Sequence, residues 1–517
     1  MGKAINICHP CVLAVPVLKR GSMKKRKRVV PYAPALLAVF FLTLHLIEPS
    51  LAISAPAGGA EDLHAIGKHL PLWSIIPFVG ILLSIALGPL LFPRFWHHHF
   101  GKISFFWAAL FAVPFLFFHG RTAVYHILHI NLADYFPFII LLWGLYTVAS
   151  GIVIRGSIKG TPAVNTIMLL IGTIMASWVG TTGAAMVMIR PLLRANKNRE
   201  NKVHLVCFFI FLVANIGGSL TPLGDPPLFL GFLHNVPFFW VTKALLPHML
   251  LMTVTLLTIF YALDSFYYRR EHDWLKKIGR FEREPLRIDG AGNFFYLGGI
   301  VAMVLMSGNW KPGSFDLFGV HMEIQNVLRD AMIIVLGTLS FLTTPRDFRD
   351  ANEFSWFPIL EVAKLFAGIF ITIIPCLEIL KAGSEGVLRP LIEAVKSPAH
   401  YYWVTGLLSS FLDNAPTYLT FYNLALGKLG ITEAMVPAAL AADTAAANPL
   451  FIEYLKAISV GAVFMGANTY IGNAPNFMVK SIAEEQGVNM PSFFGYFFKY
   501  SIPFLFPPFL LITLIFF

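Results

Sequence analysis

Two stretches of this chain could form a polar site inside a membrane protein, because they look like one motif written twice. They are Asn215-Ile-Gly-Gly-Ser-Leu-Thr-Pro-Leu-Gly-Asp-Pro-Pro227 and Met465-Gly-Ala-Asn-Thr-Tyr-Ile-Gly-Asn-Ala-Pro-Asn476, each within a hydrophobic segment. Gly and Pro at this density prevent a continuous helix, and unpaired backbone N–H and C=O groups cannot face lipid. Such breaks persist around buried polar cavities, and breaks in both halves of a chain indicate a transporter's binding site.

The polar residues of the two motifs also match each other, as do those of two predicted hairpins near residues 177 and 410. Hydroxyls, amides and exposed backbone carbonyls are the oxygen-rich lining that a hard cation such as sodium prefers. The N-termini of half-helices favour anions instead. The candidate ion-binding or substrate-binding residues are Ser177, Thr181, Thr182, Asn215, Gly218, Thr221, Gly224, Asp225, Ser410, Asp413, Asn414, Thr417, Gly466, Asn468, Thr469, Gly472 and Asn473.

Asp225 and Asp413 are the ionisable members of this set. A carboxylate at membrane depth costs roughly 3 kcal/mol on insertion scales, and such residues mark ion pathways. Asp225 could equally cap the half-helix that begins at Pro226 and Pro227, because Asp is a good N-cap and Pro suits the first turn. Asp413 precedes no such pair and lies at a predicted hairpin tip, which favours a functional role.

The sequence contains no Walker A motif, no Gly-x-Ser-x-Gly elbow and no His-Glu-x-x-His motif. These motifs would indicate ATP-driven transport, hydrolysis or a zinc site. We therefore predict no catalytic residue, no metal site and no cofactor other than a sodium ion or a proton as the coupling ion. The chain is not expected to be an enzyme.

The composition is that of a protein that crosses the membrane many times. Of its 517 residues, 56% are hydrophobic and 13% are charged, whereas soluble domains carry roughly 25% charged residues. The net charge of +11 comes from Lys and Arg in a few loops, which indicates membrane topology rather than nucleic-acid binding. The predicted fold class is an all-α polytopic membrane protein with about 10 to 12 transmembrane segments.

The elements around the motifs divide the chain into four parts. Residues 1–54 form an N-terminal extension with a basic, then apolar, then small-residue order, which is typical of a signal peptide or a signal anchor. Residues 70–268 form a first transmembrane repeat, 269–290 a basic cytoplasmic linker and 291–517 a second repeat. The stretch around 120–134 carries one Arg and is predicted to be external.

The segment from Thr161 to about Arg190 has basic loops on both sides. Thirty residues are too few for two full crossings of about 20 residues each, so the segment is predicted to be a re-entrant hairpin turning at 177–183. A single ordinary helix is the alternative. A second hairpin is predicted around Asp413. Each half then has the order hairpin, broken helix, and the two halves enter from opposite faces, which is the inverted-repeat arrangement of secondary transporters.

At the two broken motifs and at Phe411-Leu-Asp-Asn-Ala-Pro-Thr417, the chain resembles the ion transporter superfamily. The resemblance is to its citrate-transporter-like (CitMHS) branch, which includes NhaD-type sodium/proton antiporters and arsenite permeases. It implies inverted repeats with re-entrant hairpins and, often, a homodimer. Gly180-Thr-Thr-Gly183 departs from the Asp-Asn pair that such antiporters often carry at the first hairpin.

These observations favour a multi-pass secondary transporter of the inner membrane, and within that class a sodium/proton antiporter. A citrate or other carboxylate transporter coupled to cations is the alternative, and a non-transporting membrane scaffold is a further one. The expected partners are membrane lipid and a small ion or carboxylate substrate, with no nucleic acid.

Overall fold

The computed structural model describes residues 66–517, except residue 157 and the segments 278–284 and 442–444. The described residues are almost entirely helical, which confirms the all-α polytopic class. Eight of the described helices are long and apolar enough to cross a membrane, or nine if a helix pair bent by 42° at residue 373 counts as one span. This count is smaller than the predicted 10 to 12 segments, and one further apolar helix, Asn293–Asn309, is shorter than the others. The N-terminal extension 1–54 and residues 278–284 of the basic linker lie outside the described residues.

The helices of the first half run from residue 66 to residue 277. They are α1 (Ile66–His69), α2 (Ile76–Leu91), α3 (Pro93–His129), α4 (Phe136–Ala149), α5 (Pro162–Val179), α6 (Thr181–Ala195), α7 (Val203–Leu212), α8 (Pro226–Leu233) and α9 (Phe238–Lys277). Short 3-10 turns occupy Leu72–Ile75 and Ile216–Leu220, and a π-helical turn occupies Ile130–Tyr135.

The helices of the second half run from residue 293 to residue 516. They are α10 (Asn293–Asn309), α11 (Ile324–Thr343), α12 (Arg346–Ala351), α13 (Phe357–Thr372), α14 (Ile374–Lys381), α15 (Arg389–Ala394), α16 (Pro398–Phe411), α17 (Asn414–Leu429), α18 (Val436–Ala439), α19 (Pro449–Met465), α20 (Ala474–Glu485), α21 (Phe493–Tyr496) and α22 (Ile502–Phe516). Short 3-10 turns lie at Gly383–Glu385, Glu433–Met435 and Gly466–Asn468, and a π-helical turn lies at Phe497–Ser501.

The first hairpin consists of α5 and α6. Thr161 caps α5 by accepting a hydrogen bond from the backbone N–H of Val164, and Gly180 separates the two helices with φ 82° and ψ 148°. A positive φ is easily adopted by Gly and costly for other residues. The open ends meet, because the N–H of Gly160 donates to the carbonyl of Ala195 at 2.9 Å. The segment therefore enters and returns, which rules out the single-helix alternative.

The second hairpin consists of α16 and α17. Asp413 caps α17, and its Oδ1 accepts a hydrogen bond from the N–H of Ala415 at 3.0 Å. The helix ends at Gly430, which has a left-handed conformation of the kind common at helix C-termini. Near the open end, the Nζ of Lys428 donates to the carbonyl of Val395. In both hairpins, the residues that separate the two helices therefore lie at the tip.

Two interrupted helices follow the hairpins in sequence. In the first, α7 passes through the 3-10 turn at 216–220 and extended backbone to α8. In the second, α19 passes through the turn at 466–468 to α20 in the same way. The α7 segment lies at the centre of the core, because no residue from Leu205 to Ala214 is more than 1% exposed.

Three loops, after α4, before α10 and around α12, lie together. The first strand, β1 (Val153–Arg155), pairs antiparallel with β2 (Arg287–Asp289) from the linker. The loop that contains α12 joins them, because Asn352 donates to the carbonyls of Ser150 and Ile152 at 2.9 and 2.8 Å. A second strand pair, β3 (Ser314–Leu317) with β4 (Val320–Glu323), connects α10 to α11.

The stretch 120–134 differs from the expected external loop. The chain is helical through His129 with one non-helical residue, Gly120, at φ 51° and ψ −117°, and then passes through the π-helical turn into α4. A single left-handed Gly thus redirects the chain with no loop, and charge counting does not detect such a change.

Candidate functional site

Each hairpin tip is joined to its broken helix by matching hydrogen bonds. In the first half, the hydroxyl of Ser177 donates to the carbonyl of Gly217 at 2.5 Å, and Thr221 donates to the carbonyl of Ser177. In the second half, Ser410 donates to the carbonyl of Met465 at 3.1 Å, and Thr469 donates to the carbonyl of Ser410 at 2.5 Å. The hydroxyls therefore satisfy the carbonyls that the helix breaks leave unpaired.

Two glycine pairs allow each break to close on itself. A Cβ atom built on Gly224 would lie 2.1 Å from the carbonyl oxygen of Gly218, and one on Gly472 would lie 2.5 Å from that of Gly466. A Cβ on Gly218 would lie 2.6 Å from the methyl carbon of Thr181. Side chains are therefore excluded by backbone atoms at Gly224 and Gly472, and by the side chain of Thr181 at Gly218.

The carboxylate of Asp225 lies where the two halves meet. Its Oδ1 accepts hydrogen bonds from the hydroxyl of Thr181 and the amide of Asn473, both at 2.9 Å. Its Oδ2 accepts a hydrogen bond from the amide of Asn414 at 2.5 Å. The residue is 1% exposed. A buried carboxylate is tolerated when its oxygens are hydrogen-bonded in this way.

Four helix N-termini converge on this carboxylate. Thr181 is the first residue of α6, and Asn414 is the first residue of α17. Asp225 occupies the N-cap position of α8, and Asn473 occupies that of α20. Helix N-termini carry partial positive charge and unpaired N–H groups. The arrangement therefore favours negative charge, although none of its side-chain donors is charged.

A second set of amides lies behind this junction and also joins the two halves. The amide of Asn215 donates to Oδ1 of Asn476 at 2.7 Å. The amide of Asn476 in turn donates to the carbonyls of Gly466 and Thr469, both at 2.8 Å. Sequence analysis included Asn215 and omitted Asn476, although Asn476 ends the quoted motif and its position there was an available signal.

A cavity opens beside the junction. Its polar lining comes from Thr181, Thr182, Asp225, Asp413 and Asn473. The opposite wall is apolar and is contributed by α4 and α13. No Lys or Arg lines this cavity among the residues described. Charge compensation for an anionic guest would thus come from helix ends and from any cation that accompanies it.

Asp413 and Asp225 line the same cavity but have different partners. The Asp413 carboxylate caps α17, and its backbone carbonyl accepts a hydrogen bond from Thr417 at 2.9 Å. Its side chain is partly exposed. The structure therefore gives Asp225, rather than Asp413, the central position among the polar groups.

Two of the buried amide oxygens that accept no hydrogen bond within the part of the chain that the structure describes lie at the helix breaks. They are Oδ1 of Asn414 and Oδ1 of Asn468. The amide nitrogens are engaged, with Asn414 donating to Asp225 and Asn468 donating to the hydroxyl of Ser410 at 2.8 Å. Unpaired oxygens at helix breaks are suited to bind a hard cation. No cluster of three or more His, Cys, Asp or Glu that could hold a metal occurs among the described residues.

Not all candidate residues lie at this junction. Ser410, Asn468 and Thr469 bind one another on the second break. Two other acidic residues, Glu361 on α13 and Glu378 on α14, are not part of the cavity lining. Asp443 lies outside the described residues.

A family model for citrate-transporter-like proteins, CitMHS_2, with the description "Putative citrate transport", matches residues 67–517. The chain belongs to this family. The match supports the citrate-transporter-like branch of the resemblance and does not support the NhaD resemblance. No curated protein matches the chain. Together with the helices long and apolar enough to span a membrane, membership of this family indicates a multi-pass membrane transporter.

Proposed function

We propose that the protein is a secondary transporter that carries citrate or a related carboxylate together with a coupling cation, sodium or a proton. The observation that carries the proposal is the convergence of four helix N-termini on one buried position where uncharged donors surround a carboxylate. The same helix N-termini favour an anionic group of the substrate in the cavity beside Asp225 when a coupling cation offsets the charge of the Asp225 carboxylate.

The coupling cation has candidate ligands in the same region. The Oδ1 of Asn414, which accepts no hydrogen bond from the described residues, and the carboxylate of Asp413 are ligands of the type that sodium prefers. A cation bound there would reduce the charge of the carboxylate guest. It would also compensate for the absence of Lys and Arg from the described cavity lining.

A sodium/proton antiporter is the second candidate. The observation in its favour is that two carboxylates, Asp225 and Asp413, line one cavity, because a carboxylate can exchange a proton for a cation. The family description favours the carboxylate substrate. We place the transporter in the inner membrane on the sequence evidence given above.

The test is transport by purified protein in proteoliposomes. Labelled citrate uptake is measured with an inward sodium gradient, with a proton gradient and with neither. Sodium-induced proton movement is followed in parallel with a pH-sensitive dye in the absence of citrate. Gradient-dependent citrate uptake supports the proposal. Sodium-induced proton movement without citrate, together with no uptake of citrate or another carboxylate, would show that the antiporter is correct.

A further inference from the structure

A second cluster of ionisable side chains lies at the other end of the helix that Asp225 caps. Helix α8 has Asp225 at its N-cap and His234 at its C-cap, and its eight residues span about 12 Å at 1.5 Å per residue. The ring of His234 lies between two carboxylates. Its Nε2 is 3.2 Å from Oδ1 of Asp134, and its Nδ1 is 3.0 Å from Oε2 of Glu433.

Further charged groups surround this pair. The Nζ of Lys381 lies 3.2 Å from Oε1 of Glu433 and 3.6 Å from Oε1 of Glu378. The Nδ1 of His126 lies 3.8 Å from the same oxygen of Glu378, and His129 faces Asp134 and Glu433. We call this set of charged residues the outer cluster: Asp134, His234, Glu378, Lys381 and Glu433. They come from four regions of the chain. His126, His129 and Tyr422 lie around them.

The charge balance of the outer cluster depends on one proton. Among Asp134, His234, Glu378, Lys381 and Glu433, three carboxylates face two cations when His234 is protonated, and one cation when it is not. Burial lowers the pKa of His234, but the carboxylates of Glu433 and Asp134 outweigh this effect and raise the pKa to about 10. Burial raises the pKa of Glu433, whereas His234 and Lys381 hold it well below its usual range.

The outer cluster is mechanically connected to the transport site through two packed helices. The hydroxyl of Tyr422 on α17 donates to the carbonyl of His234 at 2.7 Å, and Asn414 at the start of α17 donates to Asp225. Between these contacts, a Cβ built on Gly231 would lie 2.3 Å from the hydroxyl of Tyr418. Helix α8 is thus in close contact with α17 and is hydrogen-bonded to it at both of its own ends.

We propose that the outer cluster is a second proton-binding site of the transporter, in which a proton shared among His234, Asp134 and Glu433 fixes the outer end of α8 and thereby the position of Asp225. The inference rests on the proposed function only in taking Asp225 to be part of the transport site. Loss of this proton increases the excess of carboxylates over cations beside the C-terminus of α8 from one to two, which weakens the contact between α8 and the π-helical turn that carries Asp134.

The first test is the unfolding temperature of the purified full-length protein in detergent, measured from about pH 6 to about pH 11. Because the His234 pKa is raised from 6.5 to about 10, the stabilisation from its proton is complete below pH 6.5 and is lost as the pH rises to 10. The wild type should therefore lose stability over this range, and His234→Gln should lack that loss.

Two further variants make the result specific. Glu433→Gln removes one carboxylate beside His234, so the loss of stability with rising pH should occur about one to two pH units lower than in the wild type. A pKa change of that size corresponds to the free energy of one charge-assisted hydrogen bond. His248→Gln is the matched control, because His248 is also buried but packs on the rings of Phe516 and Phe517. It should keep the wild-type profile. A flat wild-type profile, or the same loss in His234→Gln, would overturn the proposal.

The second test measures the coupling to Asp225 without any transport assay. Changes more than about 7–10 Å apart usually have additive effects on stability, so Asp225→Asn and His234→Gln should be additive if α8 transmits nothing. We expect the double variant to depart clearly from additivity below pH 8 and to approach additivity near pH 11. Additive effects at both pH values overturn the linkage. Failure of citrate uptake in proteoliposomes would count against the proposed substrate and would leave both stability results interpretable.

Discussion

Gly224→Ala is the smallest substitution that should disable the site. A Cβ at this position would lie 2.1 Å from the carbonyl oxygen and 2.7 Å from the carbonyl carbon of Gly218, whereas ordinary contacts begin near 3.4 Å. The backbone must therefore move by about 1.3 Å (3.4 − 2.1), because the closest atom, the carbonyl oxygen of Gly218, belongs to the backbone and has no side-chain torsion by which it could move away. The shift would also strain the hydrogen bond at 2.8 Å from the N–H of Thr181 to the carbonyl of Gly224.

Forced overpacking of this kind costs typically about 1–3 kcal/mol, and displacing Asp225 from its three donors should abolish substrate uptake. Gly472→Ala is the equivalent change in the second half. Its Cβ would lie 2.5 Å from the oxygen of Gly466, which requires a smaller shift of 0.9 Å (3.4 − 2.5). We therefore expect a smaller loss of stability from Gly472→Ala than from Gly224→Ala.

The assay combines the unfolding temperature in detergent with labelled citrate uptake in proteoliposomes. Gly298→Ala is the matched control, because no atom lies within 4 Å of a Cβ built on this helical glycine. It should be neutral or stabilise by about 0.5–1 kcal/mol, as Ala does in a helix. Wild-type uptake and stability in Gly224→Ala would refute the reasoning that close backbone contact shapes the site.

Three other predictions address charge and topology. Asp413→Asn keeps an N-cap oxygen, so the free energy of unfolding should change by less than about 0.5 kcal/mol. The half-saturation concentration for citrate should rise about tenfold or more, as expected for the loss of one charged hydrogen bond. An unchanged half-saturation concentration would make Asp413 structural. Asp225→Asn replaces one carboxylate oxygen with an N–H₂ group, which cannot accept the hydrogen bonds that the three donors now make to Asp225. Uptake should be lost and the unfolding temperature should fall. A variant as stable and active as the wild type would contradict the assigned role. Lys159 and Glu200 are exposed and lie at the open end of the first hairpin. The variants Lys159→Cys and Glu200→Cys should therefore react with a membrane-impermeant thiol reagent from the same side of the membrane. Reaction from opposite sides would exclude the hairpin in the membrane.

Local features of the fold could be predicted from sequence because they depend on residues close together in the chain. The break at Gly180 and the interruptions at 215–227 and 465–476 follow from Gly and Pro, which prevent regular helix wherever they cluster. The prediction of a turn within 177–183 agrees with the observed tip. The helical conformation of residues 121–135 was not predicted, because charge counting assigns a stretch to one side of the membrane and carries no information on its backbone conformation.

The partners within the site could not be predicted in this way. Asp225 and Asn414 are separated by 189 positions, and Asn215 and Asn476 by 261. Hydrophobic and charge patterns describe how each segment meets the membrane, but they carry no information on which polar groups of different segments bind each other. The outer cluster was missed for the same reason, since His234 lies in a short loop with no acidic neighbour in sequence.

The bonds that cross between the halves have a consequence for synthesis and membrane insertion. Asn414 and Asn473 follow Asp225 by 189 and 248 residues. At about 5–20 residues per second, the ribosome needs roughly 10 to 50 seconds to produce them. During this interval the first half is already made, and its central carboxylate has only Thr181 of its three final side-chain donors. The first half of the chain therefore reaches its folded form only when the second half arrives, and a truncated first repeat would be a target for membrane quality control rather than a stable fragment.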